Sequence, residues 1–84
     1  MSASYDALKD KLIKFEAPED MITPEATLDE LGLDSLAVVE IFVALQEEFG
    51  ISLDESKAVP ALTVKETLAM FEEQLAARRD GARQ

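Results

Sequence analysis

The sequence predicts one all-α domain over residues 1–84, a small four-helix bundle with three main helices and one short helix. Apolar side chains recur at helical spacing in three separate segments, and none alternates with the period of two that a half-buried strand requires. Of the 84 residues 48% are hydrophobic, which is enough for a single core. We expect order over about residues 4–79 and a flexible tail over residues 80–84.

The first helix is predicted over about residues 4–16. Its inward-facing positions are Tyr5, Leu8, Leu12 and Phe15. Pro18 follows its end, since the residue before a proline disfavours the helical conformation. Residues 17–34 are predicted to form a long loop, within which Thr27 and Glu30 have the spacing of a capping box and indicate a short turn.

The second helix is predicted to begin at Asp34 or Ser35 and to end at Phe49. Asp34 is a favourable N-cap, and Gly50 stands where a left-handed residue stops a helix. A short third helical turn is predicted after Ser52, with capping-box spacing to Glu55.

The last helix begins at the clearest capping box of the chain, formed by Thr63 and Glu66 after the break at Pro60. Its predicted inward positions are Val64, Leu68, Phe71 and Leu75. Arg78 and Arg79 fall near its C-terminus, where positive charge suits the helix dipole.

The second helix carries two apolar stripes on its helical wheel. The wider stripe suits a core and consists of Val38, Ile41, Phe42, Leu45 and Phe49. The narrower stripe lies on the same side as Ser35 and consists of Leu36, Val39 and Val43, bordered by Glu40 and Glu47. One interpretation is a central helix that is buried on two sides. We favour the other, an exposed apolar strip edged by carboxylates, which is typical of a protein-docking surface.

The absence of cysteine and histidine excludes whole classes of chemistry. Without these residues the chain has no thiolate nucleophile, no imidazole base and no thiolate or imidazole ligand for zinc. A carboxylate pair is still available, but so short a chain leaves little room for both a core and a closed substrate pocket. We therefore expect a protein that is not an enzyme and binds no metal.

The charge is strongly negative and unevenly placed. The formal net charge is −10, and no Lys or Arg occurs between Lys14 and Lys57. Nucleic acids and anionic membranes would repel such a chain, so we expect neither as a partner and favour basic proteins. No apolar run is long enough to span a bilayer and no signal-like segment is present, so a cytoplasmic location is expected.

Ser35 lies at the predicted start of the second helix. It follows Gly32, which allows a sharp turn, and Asp34. On its own an Asp-Ser pair is most simply a helix cap. A phosphate attached to Ser35 would nevertheless lie beside unpaired amide groups and the positive end of the helix dipole, a favourable place for an anion.

With these residues in view, the chain resembles the acyl carrier protein family over nearly everything from Leu8 to Leu75. The resemblance is carried by residues 28–36, by Val39-Glu40 and by residues 45–51. It implies that a separate phosphopantetheinyl transferase attaches 4′-phosphopantetheine from coenzyme A to Ser35, within the family's Asp-Ser-Leu motif formed with Asp34 and Leu36. The thiol of this group would carry the cargo, which accounts for the missing cysteine.

The resemblance also implies the partners. The family's recognition helix follows the modified serine, and its contact positions match Leu36, Val39, Glu40, Val43 and Glu47. A monomeric carrier would hold acyl or polyketide intermediates as thioesters and deliver them to ketosynthase, acyltransferase and other synthase enzymes with basic surfaces.

Three departures from the family pattern bear on the pathway and on the docking enzymes. Ala37 replaces an acidic residue, Ser52-Leu53 replaces a proline, and the first helix ends at Phe15 without the usual glycine. The Asp-Ser-Leu form favours fatty acid or polyketide synthesis over peptide synthesis.

Three alternatives are considered. A peptidyl or aryl carrier would differ only in cargo, and an unmodified acidic interaction domain would use the same strip. A calcium loop over Asp29–Glu40 is disfavoured, because Leu31 and Leu33 occupy ligand positions and Asp34 stands where the loop needs glycine.

The two ends of the chain carry weaker indications. The alanine- and arginine-rich C-terminal end indicates a bacterial source. Because the chain starts at Met1 without a flanking linker, we expect a free-standing carrier.

Overall fold

The computed structural model describes residues 3–81 and is helical without named strands over this range. In chain order the elements are α1 (Ala3–Lys14), a first 3₁₀ turn (Glu19–Met21), α2 (Ser35–Phe49), a second 3₁₀ turn (Glu55–Lys57) and α3 (Val64–Gly81). The predicted fold is confirmed, with the second 3₁₀ turn as the short fourth element. For residues 79–81 only the backbone is described. Residues 1–2 and 82–84 lie outside the described residues, so the flexible tail stays a prediction.

The first helix ends two residues earlier than predicted. Its C-terminus is a Schellman motif, in which the N–H of Ala17 donates to the carbonyl of Leu12 at 3.0 Å and that of Glu16 to the carbonyl of Ile13 at 2.8 Å. Glu16 holds the left-handed position with φ 73°, and it is the only residue other than glycine with positive φ in the part of the chain that the structure describes. A left-handed backbone is unfavourable for a residue with a side chain, so this turn is strained.

The bounds predicted for the second helix are confirmed at both ends. The Asp34 carboxylate accepts a hydrogen bond from the N–H of Ala37 at 2.8 Å. At the other end Gly50 adopts φ 64°, and its N–H donates to the carbonyl of Gln46. Both ends are set by local chemistry, an N-cap carboxylate and a left-handed glycine, that the sequence displays directly.

The cap predicted for the second 3₁₀ turn is wrong. Asp54, not Ser52, caps it by accepting hydrogen bonds from the N–H of Ser56 at 3.0 Å and from its hydroxyl at 2.6 Å. Glu55 does not complete the predicted capping box, because its carboxylate accepts a hydrogen bond from the Gln46 side-chain amide at 2.9 Å. The Gln46 carbonyl oxygen in turn accepts from the N–H of Leu53 at 3.0 Å. One amide on α2 therefore fixes the segment that follows it.

The core lies where the three helices meet and follows the predicted inward positions closely. Its fully buried side chains include Leu8, Leu12, Val38, Ile41, Leu45, Val64 and Phe71. At the C-terminal end of α2 the ring of Phe49 meets that of Phe71 edge-on, with centroids 5.1 Å apart. Four other residues predicted to face inward are half-buried and pack against this core, namely Phe15, Phe49, Leu68 and Leu75.

The long loop before α2 is tied to the start of α3. The N–H of Leu28 donates to the carbonyl of Leu62 at 2.8 Å, and the N–H of Val64 donates to that of Ala26 at 2.9 Å, around an antiparallel bridge between Thr27 and Thr63. We call this contact the clasp.

Two of the three predicted capping boxes are formed, and both lie at the clasp. The N–H of Thr27 donates to Glu30 at 2.8 Å and that of Thr63 to Glu66 at 2.9 Å. The hydroxyls of the two threonines accept from the N–H of Glu30 and of Glu66 in return. The loop is therefore held by its backbone as well as by its apolar side chains.

The two left-handed helix ends predict opposite responses to substitution. Gly50→Ala places a Cβ at φ 64° and 3.2 Å from the Nε atom of Arg78. We expect it to lower the free energy of unfolding by about 1–2 kcal/mol. Glu16→Gly relieves the same backbone strain at some cost in chain entropy. It should raise the free energy of unfolding by about 0.5 kcal/mol. Urea denaturation followed by circular dichroism measures both, and changes of the same sign would contradict this account.

Candidate functional site

Ser35 is the first residue of α2 and its side chain is exposed. The turn before it is fixed by Leu31 and Leu33, each only 3% exposed, which enter the core on either side of Gly32. Gly32 adopts φ 84°, and the N–H of Leu33 donates back to the carbonyl of Leu28 at 3.0 Å. The serine is therefore presented to solvent from an anchored turn.

Asp34 is confirmed as the cap of this helix. Its backbone is extended, with φ −88° and ψ 179°, and its carboxylate is bonded to the N–H of Ala37. The negative charge also lies at the positive end of the helix dipole. One oxygen of this carboxylate is thus engaged in capping the helix.

Two backbone donors lie beside the serine without an acceptor in the described part of the chain. The N–H groups of Ser35 and Leu36 belong to the first turn, which has no intrahelical partner for them, and nothing else among residues 3–78 accepts from them. The turn is also open, because a Cβ built on Gly32 would meet no atom within 4 Å. An exposed hydroxyl, two free donors and open space fit a phosphate ester on Ser35.

The narrower apolar stripe of α2, formed by Leu36, Val39 and Val43, is exposed at its N-terminal end and half-buried farther along. Leu36, next to the serine, is 66% exposed, so α2 is not covered on this side at its N-terminus. Val39 is half-buried and packs against the core, while Glu40 and Glu47 are exposed. The remaining apolar member of the strip, Val43, is half-buried and lines a groove farther along the helix.

That groove lies between α2 and the turn that follows α1. It has a volume of about 410 Å³ and is lined by Phe15, Glu40, Val43, Ala44 and Glu47. Three of the five residues of the predicted recognition surface therefore meet there. Leu36 and Val39 do not line it.

The family is decided by a match over most of the chain. Residues 6–75 match the family model described as the phosphopantetheine attachment site. The chain belongs to the acyl carrier protein family. As a member of it, the carrier bears a covalently attached 4′-phosphopantetheine group.

Several plant proteins are similar to the carrier. Acyl carrier protein 2, chloroplastic, of Arabidopsis thaliana is 46% identical over 56 residues, which are 67% of this chain and 41% of the relative. Acyl carrier protein 1, chloroplastic, of Spinacia oleracea is 37% identical over 67 residues, 80% of this chain and 47% of the relative. The carrier thus spans less than half the length of these relatives. Among residues 3–81, no helix is long and apolar enough to cross a membrane.

Sequence reasoning missed two residues of the groove in the carrier. Phe15 lies three residues after Leu12, a spacing that assigns it to the inner face of α1. The helix ends at Lys14, however, and Phe15 belongs to the turn that follows. The sequence did not indicate Ala44 as a groove residue, because a single small residue on a helix is seldom distinctive.

The carboxylates of α2 differ in their surroundings. Glu48 pairs with Lys11 of α1, and this hydrogen bond lowers the pKa of the Glu48 carboxyl below its ordinary value. Glu40 and Glu47 form no ion pair with any of the side chains that the structure describes, those of residues 3–78. The charge on the groove side of the helix is therefore unneutralised within the described part of the carrier, whereas Glu48 is engaged in joining two helices.

The Glu48 pair predicts a pH dependence of stability. Because the folded pKa of this carboxyl is depressed, its contribution is present above the ordinary pKa and is lost as the pH falls through the folded value. We expect Glu48→Gln to lower the melting temperature at pH 7 and to leave it nearly unchanged well below pH 4. Melting curves from pH 3 to pH 7 test this, with Glu47→Gln as the control that lacks a cation partner. An equal difference at every pH would refute it.

Proposed function

We propose that Ser35 is the attachment residue and that the protein carries acyl or polyketide intermediates as thioesters on its 4′-phosphopantetheine arm. The observation that supports this most is the exposed Ser35 side chain at the first residue of α2, beside two N–H groups without acceptors. Asp34 and Leu36 flank it, the one capping the helix and the other exposed next to the arm.

The attachment itself needs a separate enzyme. The Ser35 oxygen would form the phosphodiester bond and lose its proton, while the nucleotide part of coenzyme A leaves. The chain holds no histidine or cysteine, and the neighbouring Asp34 carboxylate is bonded to Ala37. A phosphopantetheinyl transferase therefore supplies the base, and this carrier supplies an accessible hydroxyl and donors for the phosphate oxygens.

The partners we propose are enzymes with basic surfaces, among them the transferase, a ketosynthase and an acyltransferase. The recognition surface would comprise the exposed Leu36, the half-buried Val39 and Val43, and the exposed Glu40 and Glu47. Apolar contacts at its centre and carboxylates at its rim match the usual anatomy of a protein interface. The flexible arm then raises the effective concentration of the cargo at the partner's active site.

Fatty acid or polyketide synthesis remains the proposed pathway, on the strength of the Asp-Ser-Leu form at Asp34–Leu36. Nothing among the described residues favours the peptidyl or aryl alternative. A bacterial source and a cytoplasmic location stay predictions from the sequence. The names of the relatives place those proteins in plant chloroplasts and lend these two predictions no support.

The attachment site predicts a specific change in mass. Incubation of the apo protein with coenzyme A and a phosphopantetheinyl transferase should add the mass of one phosphopantetheinyl group. Ser35→Ala should gain nothing, because the accepting oxygen is gone. Ser52→Ala, which removes another exposed serine, should be modified like the wild type. Intact mass spectrometry reads all three, and modification of Ser35→Ala would disprove the assignment.

The recognition surface predicts a charge dependence of docking. Glu40→Lys or Glu47→Lys should lower kcat/KM of the transferase for the apo protein by roughly tenfold at low salt. The difference should shrink as the ionic strength rises, since exposed charges are screened. Glu73→Lys makes the same charge change on an exposed position of α3 and should have little effect. Equal losses in all three variants would assign the effect to net charge and contradict a localised surface.

A further inference from the structure

The segment that follows α2 is fixed to the rest of the protein at both of its ends. Residues 52–58, which we call the strap, contain the second 3₁₀ turn. Before the strap, the backbone carbonyl of Gln46 accepts from the N–H of Ile51 at 3.2 Å and so closes the end of α2. After it, the carbonyl of Pro60 accepts from the N–H of Asp29 at 2.9 Å, next to the clasp. These end contacts involve no atom of the strap itself.

A single side chain ties the middle of the strap to α2. The side-chain carbonyl of Gln46 accepts from the N–H of Leu53 at 3.0 Å, and its amide donates to the Glu55 carboxylate at 2.9 Å. Among residues 3–78, no other group outside the strap forms a hydrogen bond or an ion pair with it. The position of the strap on α2 therefore depends on one amide.

The strap is held together by hydrogen bonds of its own. The Asp54 carboxylate accepts from the N–H and the hydroxyl of Ser56, and the Asp54 backbone carbonyl accepts from the N–H of Lys57 at 3.0 Å. The N–H of Ala58 donates to the carbonyl of Glu55 at 3.1 Å. A segment with internal bonds and one external tie has the features of a small cooperative unit.

The side of the strap that faces α3 is loosely packed. A cavity of about 70 Å³ lies between them, lined by Leu53, Asp54 and Lys57 of the strap and by Met70, Glu73 and Gln74 of α3. No hydrogen bond or ion pair joins the strap to α3 among the side chains of residues 3–78. Side chains that line a cavity lose part of the dispersion contacts that close packing provides. The contact with α3 therefore holds the strap less firmly than Gln46 does.

We propose that the strap opens and closes as one unit away from α3, and that the Gln46 amide is the latch that sets the equilibrium between the two states. Opening breaks the two hydrogen bonds at Gln46 and uncovers Met70 and Gln74, while the end of α2 and the clasp stay intact. It requires less free energy than global unfolding, because Leu53 and Ala58 are the buried apolar side chains that the strap must expose. The device needs neither the arm nor a partner enzyme, so it goes beyond the proposed function.

The test is native-state amide hydrogen exchange of the full-length apo protein at neutral pH, followed by NMR. In the wild type the amides of Leu53, Lys57 and Ala58 should exchange at similar opening free energies and faster than the α2 amide of Ile41. Gln46→Ala should raise the exchange rates of all three strap amides by roughly tenfold or more and leave Ile41 nearly unchanged. The N–H groups of Lys57 and Ala58 bond within the strap, so their acceleration reports opening of the whole unit.

Two further variants provide the controls. Gln46→Glu keeps an acceptor for Leu53 but loses the donor to Glu55 and places two negative charges together, so it should also accelerate all three amides. Gln74→Ala truncates a half-buried α3 side chain across the cavity without touching the latch, and should leave exchange in the strap unchanged. An equal rise in Gln74→Ala would show that α3 holds the strap closed and would overturn the proposal.

The remaining outcomes are equally decisive. If Gln46→Ala accelerates Leu53 alone, the strap does not move as a unit and the proposal is wrong. If that variant accelerates Ile41 to the same extent, it has lost global stability, and Gln46→Glu then decides alone. None of these results depends on whether Ser35 accepts the arm, so failure of the proposed function would leave them unchanged.

Discussion

The position of Ser35 depends on how the chain closes the turn in front of α2. Two leucines, Leu31 and Leu33, are buried on either side of a left-handed glycine, and Asp34 immediately caps the helix. Burial of a leucine side chain contributes on the order of 2 kcal/mol, so both anchors resist movement of the turn. Ser35 follows this anchored turn directly, so its side chain stays at the surface.

The clasp extends this constraint to the rest of the fold. It joins the loop to the start of α3 through backbone hydrogen bonds at Leu28 and Val64, and a capping box stabilises each side. Movement of the turn before Ser35 would therefore disturb α3 as well. In the function we propose, a rigid point of attachment would leave all the flexibility to the arm.

The recognition surface we propose is less favourable for the isolated protein than for a complex. Leu36 exposes 66% of its surface to water, and the carboxylates of Glu40 and Glu47 form no ion pair with the side chains of residues 3–78. The left-handed Glu16 adds local strain beside Phe15. A basic partner with an apolar contact would relieve the first two of these costs, which connects the composition of the chain to docking.

The features predicted best from the sequence are the helix ends, which depend on residues close together in the chain. The caps at Asp34, Thr63 and Gly50 are each fixed by a side chain or a glycine within a few residues, and all three are confirmed. The cap at Ser52 was wrong because Gln46, distant in sequence, binds both Leu53 and Glu55.

The clasp and the contribution of Phe15 to the groove were not predicted, for the same reason. Thr27 meets Thr63 and Phe15 meets α2 only once the helices have packed. Helical periodicity placed Phe15 against the core, which is confirmed, but it cannot register that α1 stops at Lys14 and that this side chain also lines the groove.

The central claim is that a phosphate on Ser35 is held at the N-terminus of α2 by the two free N–H groups. Amide chemical shifts of the apo and phosphopantetheinylated protein, compared in ¹H–¹⁵N spectra, test this most directly. We expect the largest changes at the amides of Ser35 and Leu36, with much smaller ones at α3. Unchanged shifts at these two amides in a protein that carries the arm would contradict the claim.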